Sequence, residues 1–140
     1  MLDWQTREKM ILFEIAIKVE NDIVTVRQST SEAAKNLNFG LVDQTRIITA
    51  ASELARNIFQ YASNGKVTIE EVFEDSKHGM GLTFEDEGPG IENIDLALKN
   101  GYSRSNSLGL GLPGSKRLMD EFYITSIVGK GTTVIIKKWL

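Results

Sequence analysis

Residues 43–62 read DQTRIITAASELARNIFQYA, and within them Ile47, Ile48, Ala51, Leu54, Ala55, Ile58, Phe59 and Ala62 recur at steps of three and four. This is the strongest period in the chain. It predicts a long amphipathic helix with a one-sided apolar stripe, and such a stripe forms a stable structure only when another layer covers it. Asp43 offers the N-cap, and Asn64-Gly65 breaks the run.

The sequence on either side supplies the cover. MILFEIAIKV, residues 10–19, mixes a short apolar run with alternation and is rich in Ile and Val, which predicts a strand. Asn21 and Asp22 are placed to cap a first helix, whose face carries Ile23, Val26, Ala33 and Leu37 before Asn38 and Gly40 stop it. Downstream, KVTIEEVFED and GMGLTFEDE alternate on either side of a polar SKHG, the pattern of an antiparallel hairpin. IDLALKN predicts a short helix and LPGSKRLMDEF a third principal one, with Pro113 in its first turn. FYITSIVG and GTTVIIKKW close the chain as a second hairpin around Gly129-Lys130-Gly131. The fold expected is an α+β two-layer sandwich: a mixed or mainly antiparallel sheet of about five strands, covered on one face by three main helices. With 140 residues and no internal repeat or linker, residues 1–140 read as a single domain.

Composition removes several functions. The chain is 41% apolar and 25% charged with a formal net charge of −3, and its cations are scattered, so it lacks the basic footprint of a nucleic-acid binder. It has no cysteine, which excludes disulfides, thiolate metal sites and a cysteine nucleophile. Its single histidine, His78, stands in SKHG and reads as an exposed loop residue, so a histidine-rich metal site is ruled out. No run of about 18 apolar residues marks a membrane span, no signal peptide is apparent, and the chain reads as cytoplasmic.

The glycines of SNSLGLGLPGSK, residues 105–116, raise the question of phosphate. Gly109, Gly111 and Gly114 spell G-x-G-x-x-G, but a polar loop precedes them and no acid lies about 20 residues beyond, so a Rossmann loop is not supported. The P-loop pattern fails by one place, because Gly114 is followed by Ser115 and then Lys116. Both motifs share a glycine-rich turn running into a helix start, whose free N–H groups and positive dipole end attract an anion. Taken alone, the stretch reads equally as a flexible loop with capping glycines.

Two further groups accompany it. Glu53 and Asn57 are four residues apart on the long helix, roughly 6 Å from each other on one face. A carboxylate and a carboxamide so placed suit a general base beside an oxygen ligand for Mg2+, although Glu-x-x-x-Asn by itself reads more readily as a solvated polar face. The strand GLTFEDE runs into Gly88-Pro89-Gly90, so Asp86 stands at a strand end beside glycines that admit a flat ligand, with an ordinary acidic turn as the plainer reading.

In this order the groups resemble the GHKL ATP-binding superfamily of gyrases, Hsp90-type chaperones, MutL proteins and histidine kinases. Glu53 to Asn57 matches the N box, Asp86-Glu87-Gly88-Pro89-Gly90 the first glycine box, Gly109-Leu110-Gly111-Leu112 the second, and Gly131-Thr132-Thr133 the C-terminal threonine element. The resemblance covers nearly the whole chain. It implies the Bergerat fold, with ATP and Mg2+ bound between helices and a lid at about residues 100–112. It implies that the 109–112 backbone cradles the β- and γ-phosphates, that Arg104 either reaches the γ-phosphoryl group or stays solvated, and that Thr132 or Thr133 assists Asp86 at adenine through water.

The wording VDQTRIITAASELARNIFQYA, EDEGPGI, GLGLPGSKRLMDEF and IKKWL resembles, within that superfamily, the anti-sigma-factor serine kinases, and among them the switch kinases of bacterial stressosomes. That likeness implies a serine/threonine kinase acting on STAS-domain scaffold and antagonist proteins and, once released, activating a PP2C-type phosphatase. Tyr61 stands where many histidine-kinase relatives carry a basic or histidine residue, which argues against histidine kinase activity. Direct binding of a sigma factor, ATP hydrolysis driving a conformational change, and nucleotide sensing without phosphotransfer are the alternatives.

Overall fold

The computed structural model describes residues 7–99 and 111–140. Strand β1 (Arg7–Ile17) leads into helices α1 (Asn21–Asn36) and α2 (Leu41–Asn57), and α2 runs on through a π-helical turn at Ile58–Ala62. Strands β2 (Gly65–Glu74) and β3 (Lys77–Asp86) form a hairpin, followed by the short helix α3 (Ile94–Ala97), helix α4 (Gly111–Leu118) and the hairpin β4 (Glu121–Ile127) and β5 (Gly131–Trp139).

The five strands lie in the order β1-β2-β3-β5-β4, and every pairing is antiparallel. The sheet, expected to be mixed or mainly antiparallel, is wholly antiparallel among the described residues. One crossover helix reverses a chain twice and returns it parallel to its starting strand, whereas the path through α1 and α2 reverses it three times and delivers β2 antiparallel to β1. Strand β4 runs parallel to β3 without touching it, because β5 fills the place between them.

Local chemistry moves several boundaries from their expected places. Asp22 does not cap the first turn of α1; its Oδ2 accepts from the N–H groups of Lys18 and Val19 at 2.8 and 2.9 Å, pinning the turn before the helix. Those two backbone donors hold the Asp22 carboxyl below its ordinary value. The helix ends as expected at Asn38, whose φ of 66° closes a Schellman turn with Asn38 N–H on Lys35 O and Phe39 N–H on Ala34 O. Gly40, not Asp43, stands at the N-cap of α2. Asp43 lies within the first turn, 3.1 Å from Arg46 and 3.7 Å from the buried Lys138 ammonium. The β2–β3 turn is Asp75-Ser76, with φ of 47° and 70°, the mirror-image turn that suits strand twist. His78 consequently lies in β3 and not in a loop, its Nε2 2.7 Å from Glu71 Oε2 and its ring stacked on Phe73.

The α2 stripe meets one face of the sheet. Ile47, Ala51 and Leu54 are buried with Ile17 of β1, Val67 and Ile69 of β2, Met80 and Leu82 of β3 and Ile136 of β5. Strand alternation then sorts the strand ends: Leu82, Phe84 and Asp86 share the helix-side face with Ile136, Val134 and Thr132. Glu85 and Thr133 pair on the opposite face.

Candidate active site

Asp86 is the last residue of β3 and is half-buried. Its Oδ1 accepts two backbone hydrogen bonds, from Gly88 at 2.9 Å and from Thr132 at 3.2 Å. These fill both lone pairs of one oxygen and fix the carboxylate's orientation, while Oδ2 has no hydrogen-bond partner among the described residues. The arrangement depends on missing side chains. A β-carbon at Gly88 would stand 2.7 Å from Ala62 Cβ, so the loop after β3 packs directly on the π-helical turn that extends α2. Gly90, with φ of 78°, lies against Ile127, and Pro89 O accepts from Gly129 N–H at 2.8 Å. The loop is thus held between the end of α2 and the β4–β5 hairpin.

Glu53 and Asn57 occupy the last stretch of α2, one turn apart, and both are half-buried. Neither side chain has a hydrogen bond or ion pair among the described residues. Asn57 is also the last α-helical residue before the π turn, a feature that often marks functional positions because it re-aims the side chains around it.

Gly111 and Leu112 open helix α4, so the last two residues of the expected lid are helical. Gly111 has φ of 55°, Leu112 is buried, and Ser115 Oγ donates to Gly111 O at 3.0 Å. Arg104, Gly109, Leu110 and the rest of the expected lid up to 110 lie outside the described residues. Thr132 and Thr133 alternate along β5: Thr132 gives its N–H to Asp86, and Thr133 lines a cleft of about 450 Å3 with Asn64, Lys66, Glu85 and Asp86 itself.

One residue beside Asp86 and Thr132 carries no signal of its own in the sequence. Ser126 of β4 accepts from Ile91 N–H at 2.8 Å and lies 2.8 Å from Thr132 Oγ1, tying the glycine loop to the threonine beside Asp86. The hairpin around Gly129-Lys130 carried the signal, since its register sets 126 opposite 132.

These residues fit a purine nucleotide and a hard cation. Asp86 Oδ2 is an oriented acceptor at the end of β3, and a helix start such as that of α4 carries N–H groups without intrahelical partners. Among the described residues no group of three His, Cys, Asp or Glu is clustered to hold a metal, so a cation at Asn57 would draw its remaining ligands from phosphate and water. Among the same residues no helix is long and apolar enough to cross a membrane.

Such an arrangement, an antiparallel sheet with the acid at the end of β3 and a Glu-x-x-x-Asn face on the packed helix, defines a nucleotide-binding class. Residues 42–140 match the family described as histidine kinase-, DNA gyrase B-, and HSP90-like ATPase, and the chain belongs to that family. Within it, the chain is 51% identical over 126 residues to the serine/threonine-protein kinase RsbT of Bacillus subtilis (strain 168), covering 90% of this chain and 95% of that protein. It is 37% identical over 103 residues to an anti-sigma F factor of Geobacillus sp. (strain WCH70), 69% of each. The crystal structure of the RsbU and RsbW domains of Rv1364c from Mycobacterium tuberculosis superposes with a TM-score of 0.62 at 17% identity, over 91% of this chain and 32% of that one. At that identity the likeness is one of fold.

Proposed function

We propose that this chain is a cytoplasmic, ATP- and Mg2+-dependent protein serine/threonine kinase of a bacterial partner-switching pathway. Its substrates on this reading are STAS-domain scaffold or antagonist proteins, and its released form binds and activates a PP2C-type phosphatase. The observation that carries the reading is Glu53, a half-buried carboxylate with no protein partner among the described residues, one helical turn from Asn57. A carboxylate held in an ion pair is turned away from a substrate hydroxyl; one without a protein partner is free to meet it.

In this mechanism Glu53 accepts the proton of the acceptor hydroxyl as the hydroxyl oxygen bonds to the γ-phosphorus and the bond to the β,γ-bridging oxygen of ATP breaks. Bound Mg2+ would neutralise charge on the phosphate oxygens, and Asn57 would hold it through its carboxamide oxygen. The backbone from Gly109 to Leu112 cradles the phosphates, with Gly88 and Gly90 shaping the approach. Asp86 accepts a hydrogen bond from the adenine amine, with Thr132 beside it. Arg104 is assigned to the γ-phosphoryl charge. The 51% identity to a serine/threonine kinase, against 37% to an anti-sigma F factor, favours phosphotransfer to a protein over direct sigma-factor binding as the main activity.

Labelled ATP with Mg2+ and STAS-domain proteins encoded nearby tests the reading. Label on serine or threonine is the expected result. Inorganic phosphate alone would identify an ATP-hydrolysing module, and bound ATP without turnover a sensing one.

A further inference from the structure

Ser126 makes three contacts through one hydroxyl. Its Oγ lies 2.8 Å from the Ile91 nitrogen, 2.8 Å from Thr132 Oγ1 and 3.2 Å from Gly131 O. A serine hydroxyl has one proton and two lone pairs. The Ile91 N–H only donates and the Gly131 carbonyl only accepts. One assignment satisfies every group: Ser126 gives its proton to Gly131 O and receives protons from both Ile91 N–H and Thr132 Oγ1–H.

We infer that Ser126 fixes the Thr132 hydroxyl as a hydrogen-bond acceptor toward the nucleotide and thereby sets the base selectivity of the site. The inference rests on reading the Asp86 end of the cleft as the base site. There, Asp86 Oδ1 is filled by Gly88 and Thr132 N–H groups, leaving Oδ2 as a lone-pair surface. With the Thr132 proton turned toward Ser126, the threonine also offers lone pairs only. Two adjacent acceptors, reached directly or through a water, match a purine edge that brings an amine, as adenine does at C6. They set lone pair against lone pair where guanine carries a carbonyl. Threonine alone has no such selectivity. A free hydroxyl rotates and donates to a carbonyl as readily as it accepts from an amine. Ser126 touches no base on this account; it is a positioning residue.

The test measures ATP and GTP affinity on the full chain, with the thermal unfolding midpoint of each variant. Ser126→Ala is expected to narrow the ATP/GTP preference about tenfold, the scale of one misdirected hydrogen bond, mainly through tighter GTP binding. Ser126→Thr, which keeps the hydroxyl, is expected to restore the parental ratio. In a Thr132→Val background Ser126→Ala is expected to leave the ratio unmoved, because no threonine proton remains to redirect. An unchanged ratio in Ser126→Ala, including one in which both nucleotides weaken equally, would overturn the inference and leave Ser126 a structural tie. The same shift in the Thr132→Val background would overturn it as well. If Asp86→Asn binds both nucleotides as the parent does, the base-site reading itself fails and takes the inference with it. Asp86→Asn losing ATP while Ser126→Ala keeps the ratio would reject the role of Ser126 alone.

Discussion

Gly131 lies against Asp86 so closely that a β-carbon at 131 would stand 2.0 Å from the Asp86 carbonyl oxygen. The same glycine has φ of 139°, and the next residue, Thr132, gives its N–H to the Asp86 carboxylate. Gly131→Ala therefore forces β5 away from the residue it orients. The expected result is a loss of roughly 1–3 kcal/mol from backbone strain alone, with weakened ATP binding beside it. Denaturant unfolding and an ATP titration check both. Gly129→Ala is the control, since position 129 shares the positive φ but faces open space and should keep its ATP affinity.

Glu53→Ala should lower phosphotransfer by roughly 100- to 10,000-fold while holding ATP affinity within a few-fold. A base acts on the transition state and adds little to ground-state binding. Single-turnover transfer measured beside equilibrium binding separates the two. Transfer at the parental rate would remove Glu53 from the chemistry.

The conformation of Gly111 makes its replacement a matter of dihedral strain. Among the described residues a β-carbon there finds only Pro113 Cδ, at 3.8 Å, but the φ of 55° is left-handed. Gly111→Val should cost about 1–2 kcal/mol, and a β-branched residue is the worst tenant of that region. Reduced ATP affinity with an unchanged far-ultraviolet dichroism spectrum is the expected signature. Parental affinity would mean that the start of α4 takes no part in holding phosphate.

Glu121 links two strands and gives the fold a pH-dependent increment. Its carboxylate accepts from the Tyr123 hydroxyl at 2.6 Å and from the Trp139 indole, and chiefly the tyrosine holds it below the ordinary carboxyl value of 4.5. The folded state then binds this proton less readily than the unfolded chain. The increment is complete above about pH 4.5 and disappears as pH falls through the lowered folded value. Tyr123 is shifted the opposite way, above its ordinary 10.0, by the same hydrogen bond, so its contribution is present below that pH and lost as pH rises through the raised value. The stability difference between parent and Glu121→Gln should be constant near neutrality and close toward pH 3. A difference that persists unchanged into acid would show that the carboxylate charge is not its source.

The helical stripe was legible because burial repeats every turn: Ile47, Ala51, Leu54 and Ile58 announce a covered face before any coordinate exists, and all four are buried. The strands were equally legible, from alternation. Boundaries were less so, because caps compete within a few residues. Asp22 and Asp43 both look like N-caps, yet Asp22 bonds backward to the chain before α1 and Asp43 is drawn to Arg46 and Lys138, a pairing that depends on β5 arriving 95 positions later. The Glu53/Asn57 face and Asp86 were visible as residue types at telling spacings. Ser126 was not, since one serine in an alternating strand says nothing until the hairpin register sets it opposite Thr132. The strand position of His78 is hidden for a similar reason, the turn residues Asp75 and Ser76 being no richer in glycine than SKHG.

The place of β5 between β3 and β4 also imposes an order of events on a chain made from its N-terminus. Both flanking strands leave the ribosome first and wait with open edges, and Asp86 waits 46 positions for the N–H group of Thr132. Loop closure must therefore precede the contacts that reward it, which slows folding. A nascent chain ending before Gly131 already carries Glu53, Asn57 and Asp86, yet it lacks the strand that orients the carboxylate. The orientation of Asp86 is therefore fixed late, when the last strand slides into the gap.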